Sequence, residues 1–477
     1  MSNLAPTWLA LDRLLSQEQF EEGFKLLEHA YSKANQKDRS TLILWGVHVH
    51  SLYGEVQVKE GLSLLHTLGE LDPPYTQNPL FKAIETELLS YLLNHPTDFT
   101  QVKQTGKELL ETLLPLFAEE NALVHYHATV ALTLLDNPKA LLSWQQLDWP
   151  HLPTHLQWRY FTWLGTSYTQ ADELEEALNA FDKALQNSPF THHVALLCEK
   201  AAVAISLTQF ELSEQLLTQA FELLPKSPYL EPQWHYLKAQ SQMGLRNPET
   251  ALTHIERADQ LETEQHQELY ATKLLHGQIW VHLSEPIKAI PYFQRASEIA
   301  EPTERAFALH ELGVACLDAD QVIEAREQLQ RALETRDYPF FAEVHADLAE
   351  CEYRLGKAYE AEVLANQALK MGAIVTASLV LGTIAMDYYH LEEALEHYAR
   401  AIDATTPESG HEWVLGHQMS ADILVQLGFK EPARILFHAE QALQHMDGAD
   451  EWQHTLKNYA LKAREMLSDK PNKRTLN

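Results

Sequence analysis

Apolar residues in the rear half of the chain return at intervals of three and four, the period of a helix with one buried face. Phe161, Leu164 and Tyr168 fall on one such stripe, and Ala177, Phe181 and Ala184 fall on a second, before Pro189 ends it. Gly165 and Ala177 are small where two antiparallel helices must approach closely, and Tyr168 and Phe181 are large enough to fill the space between them. The stretch predicts one helical hairpin. Pro189 stops its second helix and starts the next turn.

The hairpin repeats. Its last small residue recurs as Ala184, Ala220, Ala258, Ala296, Ala332, Ala368 and Ala401, at spacings of 36, 38, 38, 36, 36 and 33. Seven residues earlier stand Ala177, Ser213, Ala251, Ala289, Ala325, Ala361 and Ala394. Three residues earlier stand Phe181, Leu217, Ile255, Phe293, Leu329, Ala365 and Tyr398. Gly165, Gly277, Gly313 and Gly382 occupy the close-approach position of the first helices. An eighth unit over 411–445 puts Ala433 and Phe437 in register, with Glu440 at the marker position. A last helix, 451–467, is predicted to cap the array, and 468–477 to be a disordered tail.

The pattern Phe161-x2-Leu164-Gly165-x2-Tyr168, Ala177-x3-Phe181, Pro189 resembles the tetratricopeptide (TPR) signature, with Phe in place of the leading Trp. The resemblance implies an all-α fold, an α-solenoid forming a right-handed superhelix of about 12 antiparallel helix pairs. Its 36- to 38-residue units exceed the family's usual length and are similar to the stretched repeats of bacterial signal-responsive regulators of the MalT type and of peptide-sensing regulators. Residues 157–445 form the regular section. Residues 1–150 read as degenerate TPR-like helical repeats, with anchors at Gly23, Leu27 and Ala30, then at Gly61, Leu65 and Leu68, where Trp45 and Leu52 belong to the first helix. Gly106, Leu110 and Leu113, and then Ala128 and Ala140, anchor two more units. Asn94–Thr97 breaks this section, and Trp149–Pro153 is the expected boundary.

In this family the first helix of each hairpin lines the concave face. The resemblance therefore places Arg159, Thr162 and Thr166 in a peptide-binding groove, followed by Ala195, Cys198 and Ala202. Tyr236 and Gln240, Leu274 and Gln278, and Phe307, His310 and Val314 come next, then Glu343, Ala346, Glu350 and Arg354. The mixture is apolar and hydrogen-bonding, with little positive charge, and suits a protein or peptide ligand held through side-chain pockets. Chaperone-binding TPR domains clamp a terminal carboxylate with Lys and Asn one turn apart on a first helix. The Lys183–Asn187 pair here falls on a second helix, so that clamp is not expected.

Charge narrows the partners. With 36 basic and 67 acidic residues the formal charge is −31, which argues against direct nucleic-acid binding and against anionic membrane surfaces. No apolar run is long enough for membrane insertion, and the start lacks a secretory pattern. The odd, scattered Cys198, Cys316 and Cys351 suit reduced thiols in a cytoplasmic protein. A monomer or weak homo-oligomer is expected.

Catalytic constellations are missing. His310-Glu311 and His411-Glu412 lack the second histidine of a zinc-protease helix. His48/His50 and His125/His127 are two apart and diverge on a helix, and Asp447–Asp450 lacks calcium-ligand spacing. Cys198 near His192 and His193 has no orienting third group. No metal, cofactor or catalytic residue is assigned. The expected function is a non-enzymatic scaffold or adaptor. The alternatives are a regulatory sensor whose superhelix responds to a signalling peptide or small ligand, and an accessory subunit of an enzyme complex. Full protonation of the 25 histidines would bring the formal charge to −6 and lower solubility near pH 5 to 6.

Overall fold

A computed structural model describes residues 4–93, 106–335, 338–407, 410–446 and 452–468. The break expected at Asn94–Thr97, the Asp447–Asp450 stretch and tail residues 469–477 lie outside them. Among the described residues there are 25 α-helices and no strand, arranged as twelve consecutive pairs and a last single helix. The chain divides into two compact units, 1–261 and 262–477.

The first unit opens with the pairs α1 (Ala5–Ser16) and α2 (Phe20–Lys33), then α3 (Gln36–Ser51) and α4 (Val58–Leu71). Next come α5 (Pro79–Leu93) and α6 (Gly106–Leu113), then α7 (Ala122–Leu134) and α8 (Ala140–Gln146). The regular hairpin is α9 (Thr154–Gln170) and α10 (Leu174–Asn187). It is followed by α11 (His193–Ser206) and α12 (Phe210–Leu223), then α13 (Glu231–Gly244) and α14 (Pro248–Glu264).

The second unit contains α15 (Tyr270–His282) with α16 (Pro286–Ile299), and α17 (Pro302–Asp318) with α18 (Val322–Ala332). Then come α19 (Phe341–Arg354) with α20 (Ala358–Met371), and α21 (Ile374–Asp387) with α22 (Leu391–Asp403). The last pair is α23 (His411–Gln426) and α24 (Pro432–His445), closed by α25 (Gln453–Ser468).

The anchors work as their sizes require. All seven marker alanines are buried, as are their companions seven residues earlier and the residues between. A Cβ added at Gly165 would lie 2.9 Å from the Phe181 ring, and one at Gly382 would lie 2.9 Å from Tyr398. In these two pairs the second helix thus presses its large anchor directly on the backbone of the first. In the eighth hairpin the expected register is wrong by two residues. Ile435, Ala439 and Ala442 are buried, whereas Phe437 is exposed. The interval from Ala401 to Ala442 is 41 residues, longer than any between the earlier markers. In α6 the buried residue is Leu109, not Leu110, alongside the expected Leu113.

A recurrent turn joins the two helices of a pair. The Glu173 N–H reaches back to Tyr168 O (2.9 Å), Gln209 to Ala204 (2.8 Å), Gln321 to Cys316 (2.7 Å) and His390 to Ala385 (2.9 Å). This is the six-to-one bond of a Schellman cap, which needs a left-handed residue just before the donor. Asp172, Thr208, Asp320 and Tyr389 supply it, with φ between 57° and 61°. Glycine usually fills this position, so the sequence hid the motif.

The front of the first unit departs from an open stack. Helix α1 packs on α9, four pairs further along, and Trp8 of α1 lies 4.7 Å from Trp45 of α3. Contacts of α3 with α5, α5 with α7 and α7 with α9 complete a closed ring of first helices. A helix inside such a ring is covered on every side, and its pattern becomes apolar all round. Residues 126–133 of α7 are buried without interruption. The repeat signature fades in the front section for this reason.

Candidate binding site

Two polar features occupy the interior of that ring. The first is a chain of buried hydrogen bonds contributed by all five first helices. Asp12 on α1 accepts from His155 Nδ1–H on α9 (2.5 Å). His155 Nε2 meets His48 Nε2 on α3 (2.8 Å), and His48 Nδ1 meets His127 Nε2 on α7 (2.9 Å). His127 Nδ1 meets the Glu87 carboxyl on α5.

Counting protons assigns the chain. Four hydrogen bonds need four hydrogens, and three neutral imidazoles bring only three. The fourth is an acid proton. Burial raises Glu87, although the adjoining His127 works against the rise. At the other end burial also tends to raise Asp12, but the His155 bond and the backbone N–H groups of His155 and Thr154 bring it down to about 2. Burial thus favours the acid form at Glu87 over Asp12, and with the proton there its O–H donates to His127. His127 donates to His48, His48 to His155, and His155 to ionised Asp12. Burial holds His48 well below the ordinary imidazole range and His155 at about 4, so these two histidines stay neutral.

The second feature is a recess of about 470 Å3 onto which Glu87 opens. Arg159, Thr162 and Thr166 line it from α9, and Ala195 and Glu199 from α11. Tyr53, Tyr91, Tyr126, Trp158, Trp163 and His192 supply aromatic walls. Arg159 is 7% exposed, and its guanidinium stacks 4.3 Å above the Trp158 ring while Nη1–H donates to His155 O (2.6 Å). Burial lowers its pKa, with partial compensation from Tyr126, Glu18 and Tyr91. Glu18 is engaged elsewhere, accepting from Thr191 and pairing with His192.

The other expected groove residues are placed differently. Cys198 is 0% exposed in the core between α11 and its neighbours, removed from any surface. Tyr236 and Gln240 are half-buried on α13, where the Gln240 amide donates to the Tyr236 hydroxyl (3.0 Å). In the second unit the first helices are tied to one another. His310 bridges the Tyr338 hydroxyl (3.0 Å) and Asp347 (2.7 Å). Arg354 holds Asp320 (2.9 Å) and Leu317 O (2.9 Å), with Glu350 at 3.4 Å. Gln278 sits beside Glu311, and Val314 is half-buried. Arg354 is thereby a fastener between α17 and α19. Burial raises Glu311, Asp318 and Glu350, and Asp347 adds repulsion at each.

Residues from the degenerate section were not legible as site residues. His48 and His127 each have a partner two residues away that diverges, as expected, but the inward members meet across 79 residues of sequence. Glu87, Tyr91 and Tyr126 sit in apolar text with no spacing signal. The three cysteines are free and buried, and burial pushes Cys198 to about 12, Cys316 to about 11 and Cys351 to about 12. None is poised as a thiolate nucleophile.

No family model and no curated protein matches the chain. Among solved structures it is similar to the APC/C hetero-tetramer Cut9-Hcn1, at 12% identity and a TM-score of 0.48, over 94% of this chain and 88% of that one. It is also similar to a Rap protein complexed with competence and sporulation factor, at 16% identity and a TM-score of 0.43, over 69% of this chain and 97% of that one. Likenesses this distant add nothing to what the helix pairing establishes. By that pairing, and by the small residues that let each hairpin close, the chain is a TPR-like α-solenoid protein.

Proposed function

We propose that this chain is a non-enzymatic scaffold or adaptor that binds polypeptide segments on its first-helix face, with the recess around Arg159 as an anchor point. One observation carries the reading. A buried guanidinium without a carboxylate partner stands at the wall of an open recess on the face where helical-repeat proteins hold their ligands. Stability alone does not favour such a residue, because a buried unpaired charge is costly. Three free, buried cysteines support placement in the cytoplasm, and among the described residues no helix is long and apolar enough to cross a membrane.

A sensor reading has its own support in the histidine chain. It joins a recess acid, Glu87, to Asp12, which caps α9 and fastens α1. Charge placed beside Glu87 is felt through the chain at a contact that closes the ring.

Site-specific photo-cross-linking in the native host tests the main reading. A photoreactive residue at Thr166 is expected to yield discrete protein adducts, and one at exposed Gln219 on α12 is not. Equal adducts from both positions, or none from Thr166, would remove the recess from the binding surface.

A further inference from the structure

We infer that the recess of the first unit binds a carboxylate group, with Arg159 as its counter-ion and the Trp158 indole N–H as a second donor. The inference rests on the reading of this face as a binding surface and names the chemistry it selects. Two independent features point to it. Among the described residues Arg159 has one hydrogen bond, to a helix carbonyl, and no carboxylate within ion-pair distance. The adjacent Trp158 is 7% exposed, and its Nε1 is buried with no acceptor. Tryptophan buried in a fold ordinarily finds an acceptor for that N–H. Consecutive residues on α9 thus line one recess: a guanidinium whose neighbouring carboxylate, Glu18, is already engaged with Thr191 and His192, and an indole whose N–H is enclosed in the wall without an acceptor.

A carboxylate satisfies both. Its two oxygens match the guanidinium fork and retain lone pairs for the indole N–H. A monoanion also fits the charge better than a phosphate dianion. The recess offers one cation, and two further acids face it, Glu87 and Glu199, each raised by burial. Water reaches Glu199, but the protein enclosing it pushes its carboxyl upward. Leu52, Tyr53, Tyr91 and Trp163 supply apolar wall for an aromatic or aliphatic body attached to the acid.

Calorimetric titration of the full chain tests this with 4-phenylbutyrate, its amide, the peptide Ac-Ala-Ala-Phe with a free C-terminus, the same peptide amidated, and inorganic phosphate. Saturable binding is expected for carboxylates, with no heat from the amides. Binding of both acids, or of the peptide alone, supports a chain-terminal carboxylate, and binding of phenylbutyrate alone supports a small organic acid. Arg159→Met should weaken the response at least about tenfold. Trp158→Phe, which keeps a ring and removes only the donor, should weaken it by a smaller factor. Silence from both acids, equal binding of the amides, or phosphate binding more tightly than either acid would overturn the inference. Adducts at Thr166 in that case leave the polypeptide-binding reading standing. Carboxylate binding without adducts would overturn that reading alone.

Discussion

Acidification should destabilise this protein well before its surface carboxylates titrate. Two histidine pairs are locked neutral inside helix hairpins. His235 Nδ1 and His254 Nδ1 are 3.0 Å apart, as are His417 Nδ1 and His438 Nδ1. Burial brings His235, His417 and His438 to about 4, against an ordinary value of 6.5, and also lowers His254. Because the folded value lies below the unfolded one, the unfolded chain takes up the proton first as pH falls. Stability is therefore full above 6.5, declines toward 4, and is flat below. Counting each pair once, moving from about pH 7.5 to about pH 5 costs about 2 kcal/mol per pair, or about 4 kcal/mol in all. The five-membered chain contributes opposing effects over this window. His48 and His155 lose stability on acidification, whereas Glu87, held upward, gains it. Urea unfolding followed by far-ultraviolet circular dichroism across this pH range measures the slope. The double variant His417→Leu/His438→Leu should remove the share of the second pair, since burial and Arg434 lower His438 independently of His417. A midpoint independent of pH, or an unchanged slope in that variant, would refute the reasoning.

Three further outcomes follow from the packing. Ala177→Leu and Ala184→Leu put a larger side chain where nothing is exposed, and each should lower unfolding free energy by about 1 to 3 kcal/mol in denaturant titrations; unchanged stability in both would contradict the hairpin register. Thr208 is β-branched at φ 57°, so Thr208→Gly should raise stability by about 1 kcal/mol by calorimetry, and a loss would contradict the strain. Asp12 is held at about 2, below its unfolded value of 3.8, so it contributes stability above pH 3.8 that is lost as pH falls toward 2. Asp12→Asn should accordingly cost about 2 kcal/mol near neutrality, and a cost of zero would place α1 outside the closed ring.

The rear of the fold could be read from sequence because one hairpin repeated its small and large anchors where each helix has a single buried face. Ala184 and Phe181 could be named before any coordinates because their environment recurs in every unit. The front could not be read this way. Residues such as His48, Glu87 and His127 meet only when the first helices close on one another, a closure that includes the α1–α9 contact between segments more than 140 residues apart. Polar residues inside an apolar run signal nothing until that closure is known. Arg159, Thr162 and Thr166 share a first-helix stripe and line the recess, whereas Cys198 lies one step round its helix and turns into the core. Closure also alters the solubility argument. At least His48, His155, His235, His417 and His438 resist protonation, so at most twenty histidines can add charge and the formal charge stays at −11 or more negative.

Whether Arg159 is kept for binding or for folding is decided by measuring Arg159→Met in two ways on the same preparation. Unfolding free energy should stay level or rise, because an apolar side chain replaces a buried charge with no partner. Capture of the adducts expected at Thr166 should disappear. A fall of about 3 to 5 kcal/mol, the usual consequence of breaking a structural buried pair, together with undiminished capture, would contradict the account.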